Sequence, residues 1–146
     1  MASLSCILAR HNDTSVRGVW CLVIGLANKR DNEQVLVVYC TAPDQAVASN
    51  IAKQLVADRR AACVNILPGV QSIYHWAGQI CSDKEMMLMI KTTRAKYAEL
   101  EAALLDMHPY ELPELIALPI ETGSQKYLSW VEDSVKSAHK IEDSIK

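Results

Sequence analysis

The sequence contains no phenylalanine, so leucine, isoleucine, valine, methionine, tyrosine and tryptophan must fill its core. It also lacks a surplus of either charge: the formal net charge is −2 and the pI is near 6.1. The chain therefore lacks the excess of basic residues that is typical of proteins that bind nucleic acids or anionic membranes. Its 146 residues, half of them apolar, are enough for one domain with a substantial core.

Paired cysteine motifs and common catalytic motifs are missing too. The five cysteines are odd in number and none is spaced as CxxC: Cys6, Cys21, Cys40, Cys63 and Cys81. This pattern argues against a zinc ribbon or a disulfide framework and favours reduced intracellular thiols, with the cytoplasm as the default location. The sequence has no Gly-rich phosphate loop, no HExxH and no GxSxG. A Cys40–His108 dyad would lack an orienting third group, so we expect no enzyme.

The first 32 residues differ from the rest and are predicted to form an N-terminal extension or leader, before a domain at 33–146. Residues 1–30 contain Arg10, Arg17, Lys29 and Arg30 but only one acid, Asp13. The apolar run at 19–27 is shorter than the ~20 residues that span a bilayer. It suits a secretory signal or an organelle leader. A segment docked on the domain or a disordered tail is the alternative.

From residue 33 the pattern alternates strands with helices. Strands are predicted at 34–41, at 62–67 with an extended continuation at 70–76, at 80–92 and at 115–119. Helices are predicted to about residue 59 after a Thr41–Asp44 capping box, from Thr93 to His108, and after Ser124 with a Glu132–Lys136 pair. The order predicts an α+β, ferredoxin-like β-α-β-β-α-β sandwich with a C-terminal helix.

The first strand is apolar on both faces, which bears on assembly. Leu36, Val38 and Cys40 alternate with Val35, Val37 and Tyr39. The two main helices of this fold cover one sheet face, and the other would expose more apolar area than monomers normally do. We therefore expect a closed homo-oligomer in which copies cover each other's sheets. The alternative is that the N-terminal segment and the last helix cover this face within one chain.

The segment at 108–114, His-Pro-Tyr-Glu-Leu-Pro-Glu, places an imidazole, a phenol and two carboxylates around two prolines. Each proline disfavours αR in the residue before it, so the helix should end near His108 and the connector should stay extended. Polar side chains on such a connector are presented at a surface. The segment is therefore either a site or a stiff connector without chemistry.

Together with this segment, several others resemble one known family. They are Leu-Val-Val-Tyr-Cys-Thr-Ala-Pro-Asp at 36–44, Ala-Ala-Cys-Val-Asn-Ile-Leu-Pro-Gly-Val at 61–70, and further matches at 72–76, 90–92, 113–115 and 127–130. Residues 34–136 thus resemble the CutA family of divalent-cation tolerance proteins. The resemblance implies a tight homotrimer of ferredoxin-like subunits that binds copper and other divalent cations in metal tolerance. For eukaryotic relatives it also implies N-terminal leaders and protein partners whose identity the sequence leaves open.

The resemblance also implies a metal site at Cys40 and His108, with help from Met107 or Glu111. Thiolate and imidazole suit copper better than hard oxygen ligands do. Some members have His-His before Pro-Tyr, whereas this chain has Met107–His108, which favours Cu(I) over Cu(II) or Zn(II). A helix C-terminus favours imidazolium, so metal affinity should fall below about pH 7. The alternative for Cys40 is a buried structural thiol.

Other candidate ligands have simpler explanations. Met86, Met87 and Met89 alternate across a strand and are expected to pack in the core. Glu111 and Glu114 are expected at a solvated rim or in intersubunit ion pairs with Lys91 or Lys126. A second functional hypothesis is a trimeric small-ligand sensor or assembly scaffold. Its intersubunit clefts would be lined by Tyr74, Trp76, Lys91, Tyr110 and Glu111.

Overall fold

The structure is a computed structural model that describes residues 31–136. Four strands and three helices follow in chain order: β1 (Val35–Ala42), α1 (Gln45–Ala57), β2 (Cys63–Trp76), β3 (Gln79–Thr93), α2 (Arg94–Met107), β4 (Ile116–Pro119) and α3 (Gln125–Val135). This sequence of elements confirms the predicted α+β class and the β-α-β-β-α-β order with a C-terminal helix. The predicted leader at 1–32 lies almost wholly outside the described residues and stays a prediction.

The strands form one antiparallel sheet in the order β2-β3-β1-β4. Helices α1 and α2 pack against one face of it. The core between them contains alternate residues of β1 and β3 together with the apolar stripes of the two helices: Leu36, Val38, Cys40, Ala42, Ala48, Ile51, Leu55, Leu88, Ile90, Leu100 and Leu104. Because the strand period is two, the other residues of β1 point to the opposite face.

The β2–β3 hairpin is longer than the rest of the sheet. It pairs from Cys63 with Lys91 to Trp76 with Gln79, whereas β1 pairs with β3 only as far as Met86. The predicted break at Pro68–Gly69 is wrong, because β2 continues through it with a register shift between Leu67 and Val70. Gly69 absorbs this shift at φ +85°, which glycine adopts without strain. The hairpin residues at 70–85 therefore project beyond β1.

The first helix begins later than its capping pattern predicts. Thr41 is not the N-cap, because it stays in the ladder of β1 opposite Met87. Asp44 is the N-cap instead, and its carboxylate accepts a hydrogen bond from the backbone N–H of Val47 at 2.9 Å. The predicted end of α2 is confirmed, since His108 is its C-cap.

Helix α3 covers part of the second sheet face. It contacts β3 and β1, and its buried residues Val131 and Val135 lie outside the core beneath α1 and α2. Lys136 forms its ion pair with Asp133 at 2.7 Å, whereas the sequence pattern predicts Glu132 as the partner. Val37 and Tyr39 remain half-buried on this face. No helix within residues 31–136 is long and apolar enough to cross a membrane.

Candidate functional site

His108 is held by hydrogen bonds at both ring nitrogens. Pro109 keeps its backbone extended at ψ 133°, which turns the chain away from α2. Nδ1 accepts from the backbone N–H of Tyr110 at 3.1 Å, so the ring proton lies on Nε2, which donates to the carbonyl of Thr41 at 2.8 Å. The buried imidazole thus joins the end of α2 to the end of β1.

Cys40 reaches the same carbonyl. Its side chain is fully buried, and Sγ donates to the carbonyl of Thr41 at 3.4 Å. Burial, followed by the negative charges of Glu114 and Glu85, raises the pKa of the thiol to about 12. The thiol is therefore protonated at neutral pH. The structure brings the two principal predicted ligands, Cys40 and His108, together at one backbone oxygen.

The other two predicted ligands lie elsewhere. Met107 is half-buried against the core and lines a cavity with Asn50, Gln54 and Asp106 from α1 and α2. Glu111 is exposed and lines a different cleft. Within residues 31–136, no group of three or more His, Cys, Asp or Glu side chains has the spacing to hold a metal ion. The metal site at Cys40, His108, Met107 and Glu111 stays a prediction. In this conformation of the single chain, the four side chains do not converge on one point.

A cleft of about 490 Å³ lies between the hairpin and the connector that follows α2. Its lining comes from the end of β1, from one face of the hairpin and from the connector: Thr41, Ser72, Tyr74, Trp76, Glu85, Pro109, Tyr110, Glu111, Leu112 and Glu114. Four of the five residues predicted to line an intersubunit cleft line this cleft within one chain. The exception is Lys91, a buried side chain whose ammonium donates to Asn65 and to the carbonyl of Met89.

Polar contacts organise the hairpin side of the cleft. The Ser72 hydroxyl donates to the buried carboxylate of Glu85. The Tyr74 hydroxyl donates to Asp83 at 2.6 Å, and this hydrogen bond raises the pKa of Tyr74 to about 12. Burial and then the charge of Glu85 raise the pKa of Tyr110. Both tyrosine hydroxyls are therefore protonated at neutral pH.

The sequence reasoning missed Glu85 and Ser72 as parts of this cleft. A signal for them existed, because Ser72, Tyr74 and Trp76 alternate along β2 and share a face with Glu85 once the register is known. Glu111 and Glu114 are both exposed, as expected for a solvated rim, and their predicted intersubunit pairing with Lys91 or Lys126 stays a prediction. Neither carboxylate forms an ion pair with any residue in the described range 31–136.

Comparison with known proteins identifies the family of this chain. The family model described as CutA1 divalent ion tolerance protein matches residues 36–134. The chain belongs to the CutA1 family. The divalent-cation tolerance protein CutA of Thermus thermophilus is 46% identical over 98 residues, which cover 67% of this chain and 95% of that relative.

Plant members of the family are similar as well. The protein named CutA, chloroplastic, of Arabidopsis thaliana is 42% identical over 102 residues, which are 70% of this chain and 56% of that relative. The crystal structure of CutA1 from Oryza sativa superimposes with a TM-score of 0.69 at 38% identity, covering 72% of this chain and 96% of that one. These likenesses confirm the predicted CutA resemblance and the fold. The cytoplasmic location and the leader both stay predictions for this chain.

Proposed function

We propose that this protein acts in divalent-metal tolerance by binding copper as a homotrimer, with Cys40 and His108 as its ligands. The observation that carries the proposal is the convergence of the thiol and the imidazole on the carbonyl of Thr41. Sulfur and imidazole nitrogen are donors that favour copper over calcium or magnesium. We propose a role in binding and not in catalysis, which the buried and protonated Cys40 thiol supports because such a thiol is a poor nucleophile.

The same geometry sets the cost of metal binding. His108 must give up a hydrogen bond at one ring nitrogen, and Cys40 must lose a proton whose pKa is about 12. Metal binding that releases protons strengthens as pH rises. Cys40 and His108 supply only two metal ligands. Any further ligand must come from solvent or from a rearrangement of the connector at 109–114, which carries Glu111. Met107 contributes only if the end of α2 turns.

Copper titration of matched double variants tests this proposal. Cu(I) buffered by a competing chelator is added to the wild type, to Cys40→Ala/His108→Asn and to Cys63→Ala/His75→Asn. The control removes the same residue types at half-exposed or exposed positions. We expect copper bound per chain to fall sharply only in the first variant. Unchanged stoichiometry and affinity in that variant, with its fold verified by circular dichroism, would refute the assignment.

A second candidate function is small-ligand sensing or assembly scaffolding by a trimer through its intersubunit clefts. It is favoured because four of the five residues that it names, Tyr74, Trp76, Tyr110 and Glu111, line one cleft within the single chain. Thermal-shift measurements against a metal panel and a metabolite panel separate the two functions. A response to metals alone supports the first, and a response to small organic ligands supports the second.

A further inference from the structure

The cleft between the hairpin and the connector carries charge of only one sign. Three carboxylates line it, Glu85, Glu111 and Glu114, and no lysine, arginine or histidine of the described residues does so. Glu111 and Glu114 have no ion-pair partner within residues 31–136. A concave surface with fixed negative charge concentrates cations. An anionic ligand such as a nucleotide is disfavoured here.

The same cleft has aromatic walls. Tyr74 and Trp76 come from the hairpin, and Tyr110 comes from the connector. Trp76 is 54% exposed and Tyr74 is 44% exposed, so their ring surfaces are open to a ligand. Aromatic faces attract cations through the ring quadrupole and also bury aliphatic chains. The occupant that this lining suits is a cation with an apolar body.

The positions of the carboxylates argue for an extended ligand and against a single metal ion. Glu85 is buried on the hairpin, whereas Glu111 and Glu114 lie on the connector across the cleft. They do not form a group spaced to hold a metal ion. Glu85 accepts from Ser72, and a carboxylate has about four acceptor positions, so it retains capacity for a further donor. Separated acceptors match a chain that carries several N–H donors.

We propose that this cleft binds an aliphatic polyamine. Its methylene chain lies against Trp76 and Tyr74, and its ammonium groups lie at Glu85, Glu111 and Glu114. The proposal deepens the second candidate function by naming a ligand class, and it does not depend on copper binding at Cys40 and His108.

Calorimetric titration of the full chain with spermidine tests the proposal, with 1,8-octanediol as an uncharged aliphatic control. We expect saturable spermidine binding and no octanediol binding. Trp76→Leu should weaken spermidine binding about fivefold through loss of the cation–aromatic contact. Glu114→Gln should weaken it about three- to tenfold through loss of one charge.

Matched controls separate a defined site from diffuse attraction. Trp130→Leu removes a similarly exposed tryptophan on α3, and Glu121→Gln removes an exposed carboxylate after β4. Both should bind spermidine within twofold of the wild type. The absence of saturable spermidine binding by the wild type would overturn the proposal. Two other results would do so as well: equally weakened spermidine binding in the two control variants, or complete displacement of spermidine by Mg²⁺ that supplies the same total positive charge. Because spermidine is titrated into wild-type protein without added copper, this test fails independently of the copper test.

Discussion

At the level of single residues, the Thr41 carbonyl organises the proposed metal site. The Cys40 thiol and the His108 imidazole both donate to it, although His108 lies 67 positions further along the chain. Side-chain chemistry and family resemblance pick out these two residues from the sequence. No sequence pattern marks a backbone oxygen as their common acceptor, because that contact exists only after β1 and α2 have packed together.

Cys40 is predicted to be inert to alkylation in the folded protein. A rise in its pKa from 9.0 to about 12 lowers the thiolate fraction at pH 8 by about a thousandfold, and burial also blocks the reagent. Cys63 and Cys81 are partly exposed and should react. Iodoacetamide labelling at pH 8 followed by peptide mass spectrometry measures the three rates.

Labelling in denaturant is the control for that measurement, since all three thiols should then react at comparable rates. Modification of Cys40 in the native protein as fast as Cys63 or Cys81 would contradict its placement in the core. It would also reduce the proton cost expected for copper binding at Cys40, because the thiol would ionise more readily.

At the level of elements, hydrophobic pattern predicted the strands and helices well, whereas their ends depended on hydrogen bonding. The Thr41–Asp44 pair fits a capping box, yet the β1 ladder retains Thr41 and moves the cap to Asp44. Pro68–Gly69 is typical of a turn, but the long pairing of β2 with β3 carries the strand through it as a register shift. Tertiary pairing overrides local preference at both places.

The N-caps of α1 and α3 differ, because only Asp44 accepts a side-chain hydrogen bond, and a pair of mutations can measure this difference. Asp44→Ala should destabilise the protein by about 1 kcal/mol, because it removes the carboxylate that accepts from the N–H of Val47. Ser124→Ala should change stability by less than about 0.5 kcal/mol, because Ser124 makes no side-chain capping bond at the start of α3. Urea unfolding gives both values, and Asp44→Asn should retain most of the cap. Equal effects of the two alanine variants would contradict the assigned N-cap.

At the level of the whole molecule, the sequence predicted the fold and two sheet faces of apolar character, but not the cleft. The cleft forms where the projecting hairpin faces the connector at 109–114, two segments separated along the chain. Their relative position depends on the hairpin's length and twist. Four of the five residues predicted for an intersubunit cleft line it, Lys91 is buried instead, and Glu85 and Ser72 required the register of β2 on β3.

The projecting hairpin also supports the proposed homotrimer. Ile73 and Ile80 share the hairpin face opposite the cleft and are 70% and 76% exposed. Beyond the end of β1 the edges of the hairpin carry no partner strand within residues 31–136. Exposed apolar side chains beside open strand edges favour pairing with another copy.

Light scattering should therefore give a mass of three times 16.2 kDa at micromolar concentration. Ile73→Lys/Ile80→Lys should shift the population towards the single chain, because burying each isoleucine contributes about 1.5–3 kcal/mol and a buried lysine opposes association. Leu105→Lys, at a 49% exposed position on α2, is the control and should leave the mass unchanged. A stable wild-type species of 16.2 kDa would refute the trimer. A trimer unaffected by the double variant would instead place the interface on the sheet face of Val37 and Tyr39, away from the hairpin.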